Sequence, residues 1–327
     1  MASQVAEADR TLGARIEVGD ELNSEFRHSE RGTRITTRRI PLLSPDMTVF
    51  TIGSCFAERI RKALDEHDYD ARPKYETLDI DTESQMAGPL NHINYYTTFA
   101  IRQEIERVLS GLGPEPIQLP VREGAWKVLV HKWEARWQDP LRHGNVARTE
   151  EGMLDVMAKV DALTRDALLS ADAFVITLGL IESWVDTQTG RHMWSAKVRN
   201  VSPEPDRFRF HLSTFQENYE NIRWVCQTLA DRFPGKPVIL TVSPVGLLNT
   251  FSGRDIIVAN SYSKSMLRTV AGAIDGEFPH VTYWPSYEFA MSTDIYEEDG
   301  RHVVPAGVEH IVSQFLGAHA DGGSVAP

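Results

Sequence analysis

Short apolar runs that alternate with amphipathic stretches constrain this chain more than any other feature it has. Residues 47–52, 173–178, 236–243 and 281–284 are rich in Val, Ile, Leu, Thr and aromatic residues. The run 173–178, Ala-Phe-Val-Ile-Thr-Leu, is apolar on both faces. That pattern fits a strand covered on each side by helices rather than one facing water. Between the runs the period changes to that of a helix. Residues 56–67 place Ile60, Ala63 and Leu64 on one face, and residues 149–170 carry Met153, Val156, Met157, Val160 and Leu163. Residues 213–232 open on Thr214 with Glu217 three positions later, the spacing of a capping box. Residues 255–274 are predicted to turn Ile257, Val258, Tyr262, Met266 and Val270 inward. Such alternation predicts an α/β fold with a mostly parallel sheet covered on both sides. In sheets of that kind ligands bind beyond the carboxyl ends of the strands. The loops opening at Gly53 and Gly179 are therefore where chemistry is expected.

The remaining segments fit around this core. Residues 1–45 are polar and irregular and read as an N-terminal arm, with Pro41 and Pro45 bracketing the first strand. A second strand is expected between Asp70 and Leu78. Residues 113–148 interrupt the alternation with proline, glycine and Trp126, Trp133 and Trp137, and residues 128–133 suggest a strand of an inserted, aromatic-rich hairpin region. Such tryptophans fill satellite cores more often than they bind ligands. Residues 186–201, with a turn at Thr189-Gly190, read as a second hairpin, and residues 319–327 as a flexible tail. The catalytic part is thus expected within 46–318.

Charge and cysteine content narrow the function classes. The 327 residues are 42% hydrophobic and 24% charged, as in an ordinary globular protein, and carry a formal net charge of -12. An acidic chain is a poor partner for nucleic acid or anionic lipid. No apolar stretch is long enough for a transmembrane helix, so no membrane insertion is expected. The first fifteen residues include Glu7 and Asp9 and no apolar core, unlike a secretory signal. Two cysteines, Cys55 and Cys226, are too few for a disulfide framework or a thiolate metal site. Cytoplasmic residence, no metal and no cofactor are the resulting expectations.

Thr51-Ile-Gly-Ser-Cys-Phe-Ala-Glu-Arg59 is a strand, a sharp turn and the start of a helix. A hydroxyl there meets unpaired helix N–H groups and the positive end of the helix dipole. Ser54 can serve as a helix cap or as a nucleophile. Cys55 is its rival, since a thiol ionises more easily at a helix N-terminus. Residues 91–94, Asn-His-Ile-Asn, suit the cap of the following helix, with His92 a surface or partnered residue. Glu182 is an acid near a pocket wall, with a salt bridge to an arginine as the ordinary use. Near the other end stands Asp299-Gly-Arg-His302, whose spacing lets a carboxylate fix an imidazole tautomer and leaves the second ring nitrogen for a serine proton.

Taken in order, the Gly-Ser turn, the loop at Gly88, the glycine-ended strand and the terminal Asp-x-x-His resemble the SGNH or GDSL hydrolase superfamily. Gly53-Ser54-Cys55-Phe56-Ala57 is the string that names the GSCFA family, and residues 177–179, 241–244, 258–264 and 285–288 look like further landmarks of it. The resemblance implies a three-layer α/β/α sandwich with a flavodoxin-like sheet. It also implies a triad of Ser54 as nucleophile, His302 as base and then acid, and Asp299 as its orienting carboxylate. Its oxyanion donors map to the N–H groups of Ser54 and Gly88. The third donor, an asparagine two residues past a strand-ending glycine, falls on Ile181, which has none. Asn91 is the expected replacement and Thr177 a weaker one, with Glu182 and Trp184 as further pocket residues.

The resulting expectation is a serine esterase acting on an acyl ester of a small molecule or carbohydrate, with neither metal nor cofactor. An O-acyltransferase using the same triad is the alternative. A non-catalytic glycan binder using the tryptophan-rich insertion is a reading of a different class.

Overall fold

The computed structural model describes residues 35, 37, 39–80, 93–111, 117–118, 137–139, 141–142, 146–147, 149–193, 205–293 and 295–320. Five strands form its central sheet: β1 (Thr48–Gly53), β2 (Asp70–Arg72), β6 (Ala173–Leu178), β10 (Val238–Val242) and β11 (Val281–Trp284). All neighbouring pairs are parallel, in the order β2-β1-β6-β10-β11. This is the flavodoxin-like doubly wound order, with its reversal between β1 and β6. The sheet is therefore parallel where the apolar runs predicted it.

Seven helices are described: α1 (Cys55–Glu66), α2 (Thr98–Ser110), α3 (Glu150–Ser170), α4 (Phe215–Arg232), α5 (Ile256–Glu277), α6 (Ser286–Ser292) and α7 (Pro305–His319). Alternation along the strands sends side chains into two separate cores. Phe50, Ile52, Phe174, Ile176 and Leu240 meet α2, α3, α4 and α5 on one side. Val49, Val175, Ile239 and Trp284 meet α1, α6 and α7 on the other. The result is a three-layer α/β/α sandwich, because a strand apolar on both faces needs cover on both.

Two of three local capping signals act as read. Thr214 and Glu217 form the full capping box of α4. Thr149 caps α3 by accepting from Gly152 N–H. The cap of α2 is Thr97, whose hydroxyl accepts from Ala100 N–H, rather than the Asn91–Asn94 cluster. Asn94 is instead a buried loop residue.

The inner face of α5 differs from expectation. Ile257, Val258 and Tyr262 are exposed, by 76%, 57% and 43%, while Ala259, Ser263, Lys264, Leu267, Val270, Ala271 and Ile274 face inward. The hydrophobic pattern misleads here because two polar residues, Ser263 and Lys264, hold inner positions.

Two small antiparallel sheets decorate the sandwich. The short strands β3 (Ile117–Gln118), β4 (Trp137–Gln138) and β5 (Val146–Ala147) form one within the aromatic-rich insertion, whose residues 119–136 lie outside the described residues, with Trp126, Trp133 and the strand expected at 128–133. Trp137 packs against the larger core. The strands β7 (Glu182–Asp186), β8 (His192–Met193) and β9 (Phe208–Leu212) form the other. A turn at Thr189-Gly190 joins β7 to β8 as read, but the hairpin starts at Glu182, ahead of the expected Asp186, and residues 194–201 lie outside the described residues; β9 is an addition to it.

Residues 40–43 lie against the end of α7. Ile40 N–H donates to the Ala318 carbonyl, and the N–H groups of Leu42 and Leu43 both donate to that of His319. The last turn thus extends past position 318, with His319 buried and its Nδ1 bonded to the Ile40 carbonyl. No helix among the described residues is long and apolar enough to cross a membrane.

Candidate active site

The reversal of strand order puts the ends of β1 and β6 on either side of a crevice, the place where doubly wound sheets bind ligands. Gly53 ends β1 at φ +142°, and a Cβ there would lie 2.2 Å from the Thr177 carbonyl oxygen, so only glycine fits. Ser54 follows as the N-cap of α1, its Oγ accepting from Phe56 N–H at 3.3 Å. The side chain is only 2% exposed. Gly179, just past β6, packs directly on it, since a Cβ at Gly179 would stand 3.0 Å from Ser54 Cβ and 2.7 Å from the Tyr96 carbonyl oxygen.

The amide of Ser54, expected as an oxyanion donor, donates to the Thr177 carbonyl at 3.2 Å. An oxyanion would have to compete with that carbonyl for it. Gly88, Asn91 and His92 lie outside the described residues. Thr177 is fully buried in β6, and its hydroxyl has no described partner.

Asp299 and His302 meet as their spacing predicts. His302 Nδ1 and Asp299 Oδ2 are 2.6 Å apart, and Asp299 Oδ1 accepts from the backbone N–H groups of Arg301 and His302 at 2.9 Å each. These backbone donors, together with the imidazole, hold the Asp299 carboxyl down at about 2. It is therefore ionised throughout the physiological range. Nε2 is left as the imidazole nitrogen available for a proton.

His302 lines a cavity of about 400 Å³ with Cys55, Phe56, Glu58, Arg59, Lys62, Val245, Val303 and Val308. Cys55, rather than Ser54, is the member of the turn that lines it. Among the described residues no hydrogen bond joins Ser54 to His302. Burial raises the Cys55 thiol pKa, against the lowering effect of Lys264 and Arg301. Glu297, Asp299 and His302 each offer one donor atom within 4.8 Å of the others, a composition that could hold a cation. The Asp299–His302 hydrogen bond already occupies two of the three groups.

Two pocket residues expected near this site serve elsewhere. Glu182 accepts from Thr250 Oγ1 at 2.5 Å and from Phe251 N–H at 3.0 Å, tying down the loop after β10. No arginine pairs with it among the described residues, so the expected salt bridge gives way to a loop clamp. Trp184 is 7% exposed, packs edge-on against Phe210 and Phe251, and lines a second cavity with Thr187, Asp206, Phe208 and Arg209.

Three residues at the site were not singled out by the sequence. Lys264 of α5 is completely buried, and its Nζ donates to the Gly179 carbonyl at 2.9 Å. Tyr96 is hydrogen-bonded to Asn94, and burial first, then the neighbouring Cys55, raise its hydroxyl pKa. Arg301 reaches the Gly246 carbonyl at 3.4 Å. The one signal for Lys264 was its place in the run 258–264, since the apolar stripe read from the sequence did not include it.

The fold and this crevice define a doubly wound α/β protein of the flavodoxin-like order with a Ser-Cys turn at its switch point. Residues 48–315 match the GSCFA family, and the chain belongs to it. No curated protein matches the chain. Among solved structures it is similar, at 16% identity and a TM-score of 0.26, to a Streptococcus pneumonia protein whose assignment as a platelet activating factor is itself provisional. That similarity covers 45% of this chain and 58% of the other.

Proposed function

We propose that this protein is a hydrolase or acyltransferase of the SGNH type, acting on an ester-linked acyl group through an acyl-serine intermediate. The observation that carries the reading is the hydrogen-bonded Asp299–His302 pair on the cavity that Cys55, the residue next to Ser54, also lines. Ser54 Oγ attacks the ester carbonyl and forms the new C–O bond while His302 Nε2 accepts its proton. Asp299 holds the imidazole tautomer and offsets the charge it gains. The tetrahedral oxyanion collapses, the ester C–O bond breaks, and His302 returns the proton to the leaving oxygen. Water or an acceptor hydroxyl then repeats the sequence in reverse and frees Ser54. Ser54 must meet His302 on substrate binding, a tightening common to active sites without ligand. Gly88 and Asn91 complete the proposed oxyanion hole, and the substrate class is a small-molecule or carbohydrate ester.

Cys55 as nucleophile is the second reading, favoured by its place on the cavity wall. Its raised thiol pKa weighs against it, because the thiolate is the reactive form. Labelling with a fluorophosphonate probe separates the two. Ser54→Ala is expected to abolish labelling with the fold intact, and Cys55→Ala to retain it. Loss in the cysteine variant alone would move the nucleophile by one residue. Unlabelled parent enzyme given an acyl ester in water, with and without an acceptor alcohol, then distinguishes transfer from hydrolysis.

A further inference from the structure

Lys264 occupies a position that packing alone does not explain. Its inward neighbours on α5 are Leu267, Val270, Ala271 and Ile274, all at 0% exposure, and it is itself at 0%. A methionine would fill the same space without taking an amine out of water, which is costly unless the group is well paired. The one described hydrogen bond of its three donors runs to the Gly179 carbonyl. Gly179 is the residue whose backbone lies against the Ser54 side chain and the Tyr96 carbonyl. Lys264 is thus joined through a single peptide to the backbone that confines the proposed nucleophile.

A second, independent relation concerns charge. Of the charges acting on Cys55, that of Lys264 has the largest effect, ahead of Arg301 and Glu58. The Ser54 amide is bonded to the Thr177 carbonyl, so negative charge developing at the turn needs support from another source. A buried cation in a region of low dielectric acts strongly on such charge.

We propose that Lys264 is a positioning residue of the acyl-transfer site, fixing the Gly179 peptide against Ser54 and, in its ammonium form, supplying positive field to the Ser54–Cys55 turn. This rests on the reading of Ser54 as the nucleophile. The field part also stands on Cys55 alone, which makes the two separable. Burial lowers the amine from the ordinary 10.5 to about 7, so its ammonium form is present in weakly acidic solution and gone in alkaline. The other groups acting on Cys55 are Arg301 from the loop before α7, Glu58 and Arg59 from α1, and Tyr96 from the segment before α2; Lys62 and His302 share the cavity wall.

The test compares the full-length parent with Lys264→Met and Lys264→Gln, the second retaining a donor for Gly179 without the charge. Two rates are measured at pH 6.5 and pH 9: alkylation of Cys55 by iodoacetamide, followed by peptide mass mapping, and phosphonylation of Ser54 by a fluorophosphonate. At pH 6.5 the parent is expected to exceed both variants by about 10-fold in alkylation, the effect of roughly one unit of thiol pKa. By pH 9, where the parent amine is neutral, that ratio should approach one for the glutamine variant. Phosphonylation should show the same convergence, with Lys264→Met remaining slower than Lys264→Gln because it lacks the donor. Ratios near one at both pH values in folded variants, or equal ratios at both, would overturn the proposal. So would failure of both variants to fold, which would make the amine a structural element. A parent that is alkylated with the expected pH pattern but never phosphonylated at Ser54 would refute the nucleophile and leave the field of Lys264 established.

Discussion

At the scale of single residues, the site depends on close contacts that small changes disturb. Asp299 is exposed, so Asp299→Asn should leave stability nearly unchanged, yet an amide donor facing His302 Nδ1 favours the wrong tautomer. The expected loss in fluorophosphonate labelling rate is on the order of 10³-fold or more, with the thermal midpoint of unfolding as the control. Gly179→Ala tests the other side of the turn. Its Cβ would come within 2.7 Å of the Tyr96 carbonyl oxygen, a contact real side chains do not make. The loop must shift away from Ser54, so labelling should slow while circular dichroism retains the α/β signature. The sequence made the Asp299–His302 pair and the helix-capping place of Ser54 legible because each sits in a short local pattern with a chemical meaning. Lys264 was not legible, because a lysine on a helix reads as solvent-facing until the neighbouring strands show which face is covered.

At the scale of elements, the same limit explains what could be read and what could not. The strands and helices followed from period, caps and glycine punctuation, all local properties. The charge network that holds the insertion was invisible, because its members are scattered at 95, 104, 139, 142 and 161 and look like surface residues. In the fold they converge on Arg142, which is fully buried and hydrogen-bonded to Asp139, Glu104, Asp161 and the Tyr95 hydroxyl. Burial raises the Glu104 carboxyl pKa and brings Asp161 up to about 6, both against the lowering effect of Arg142. The guanidinium therefore joins the stem beside β4 and β5 to α2 and α3. Arg142→Met would remove the cation shared by Glu104, Asp139 and Asp161 while Arg107 still donates to both Glu104 oxygens, so its cost should lie at or below the ~3–5 kcal/mol of a fully broken buried pair. Urea unfolding should show a lower midpoint for this variant, and a midpoint equal to the parent's would mean that water reaches the network.

At the scale of the whole molecule, the two-sided sandwich makes stability depend on pH through groups it buries in their neutral forms. His319 closes the end of α7 onto residue 40, and burial lowers its pKa from 6.5 to about 4, despite the opposing bond to the Ile40 carbonyl. His192, bonded to Ser183 and stacked on Phe99, is likewise lowered to about 4 by burial and then by His211. Between pH 4 and 6.5 the unfolded chain binds protons at these positions that the folded chain refuses. Acid therefore favours unfolding in that window, and stability rises with pH across it. Lys264 extends the rise: its folded value of about 7 against 10.5 makes the unfolded chain the better proton binder over that range too. The thermal midpoint should thus climb from pH 4 to 6.5 and receive a further contribution between about 7 and 10.5. His319→Phe keeps an aromatic ring against Trp284 and Phe315 and removes the titration. It is expected to shallow the acid limb and leave the alkaline contribution, while Lys264→Met should remove only the latter. An unchanged acid limb in the His319 variant would show that the imidazole can charge in place, with the contact between residue 40 and α7 opening to admit water before the sandwich itself unfolds.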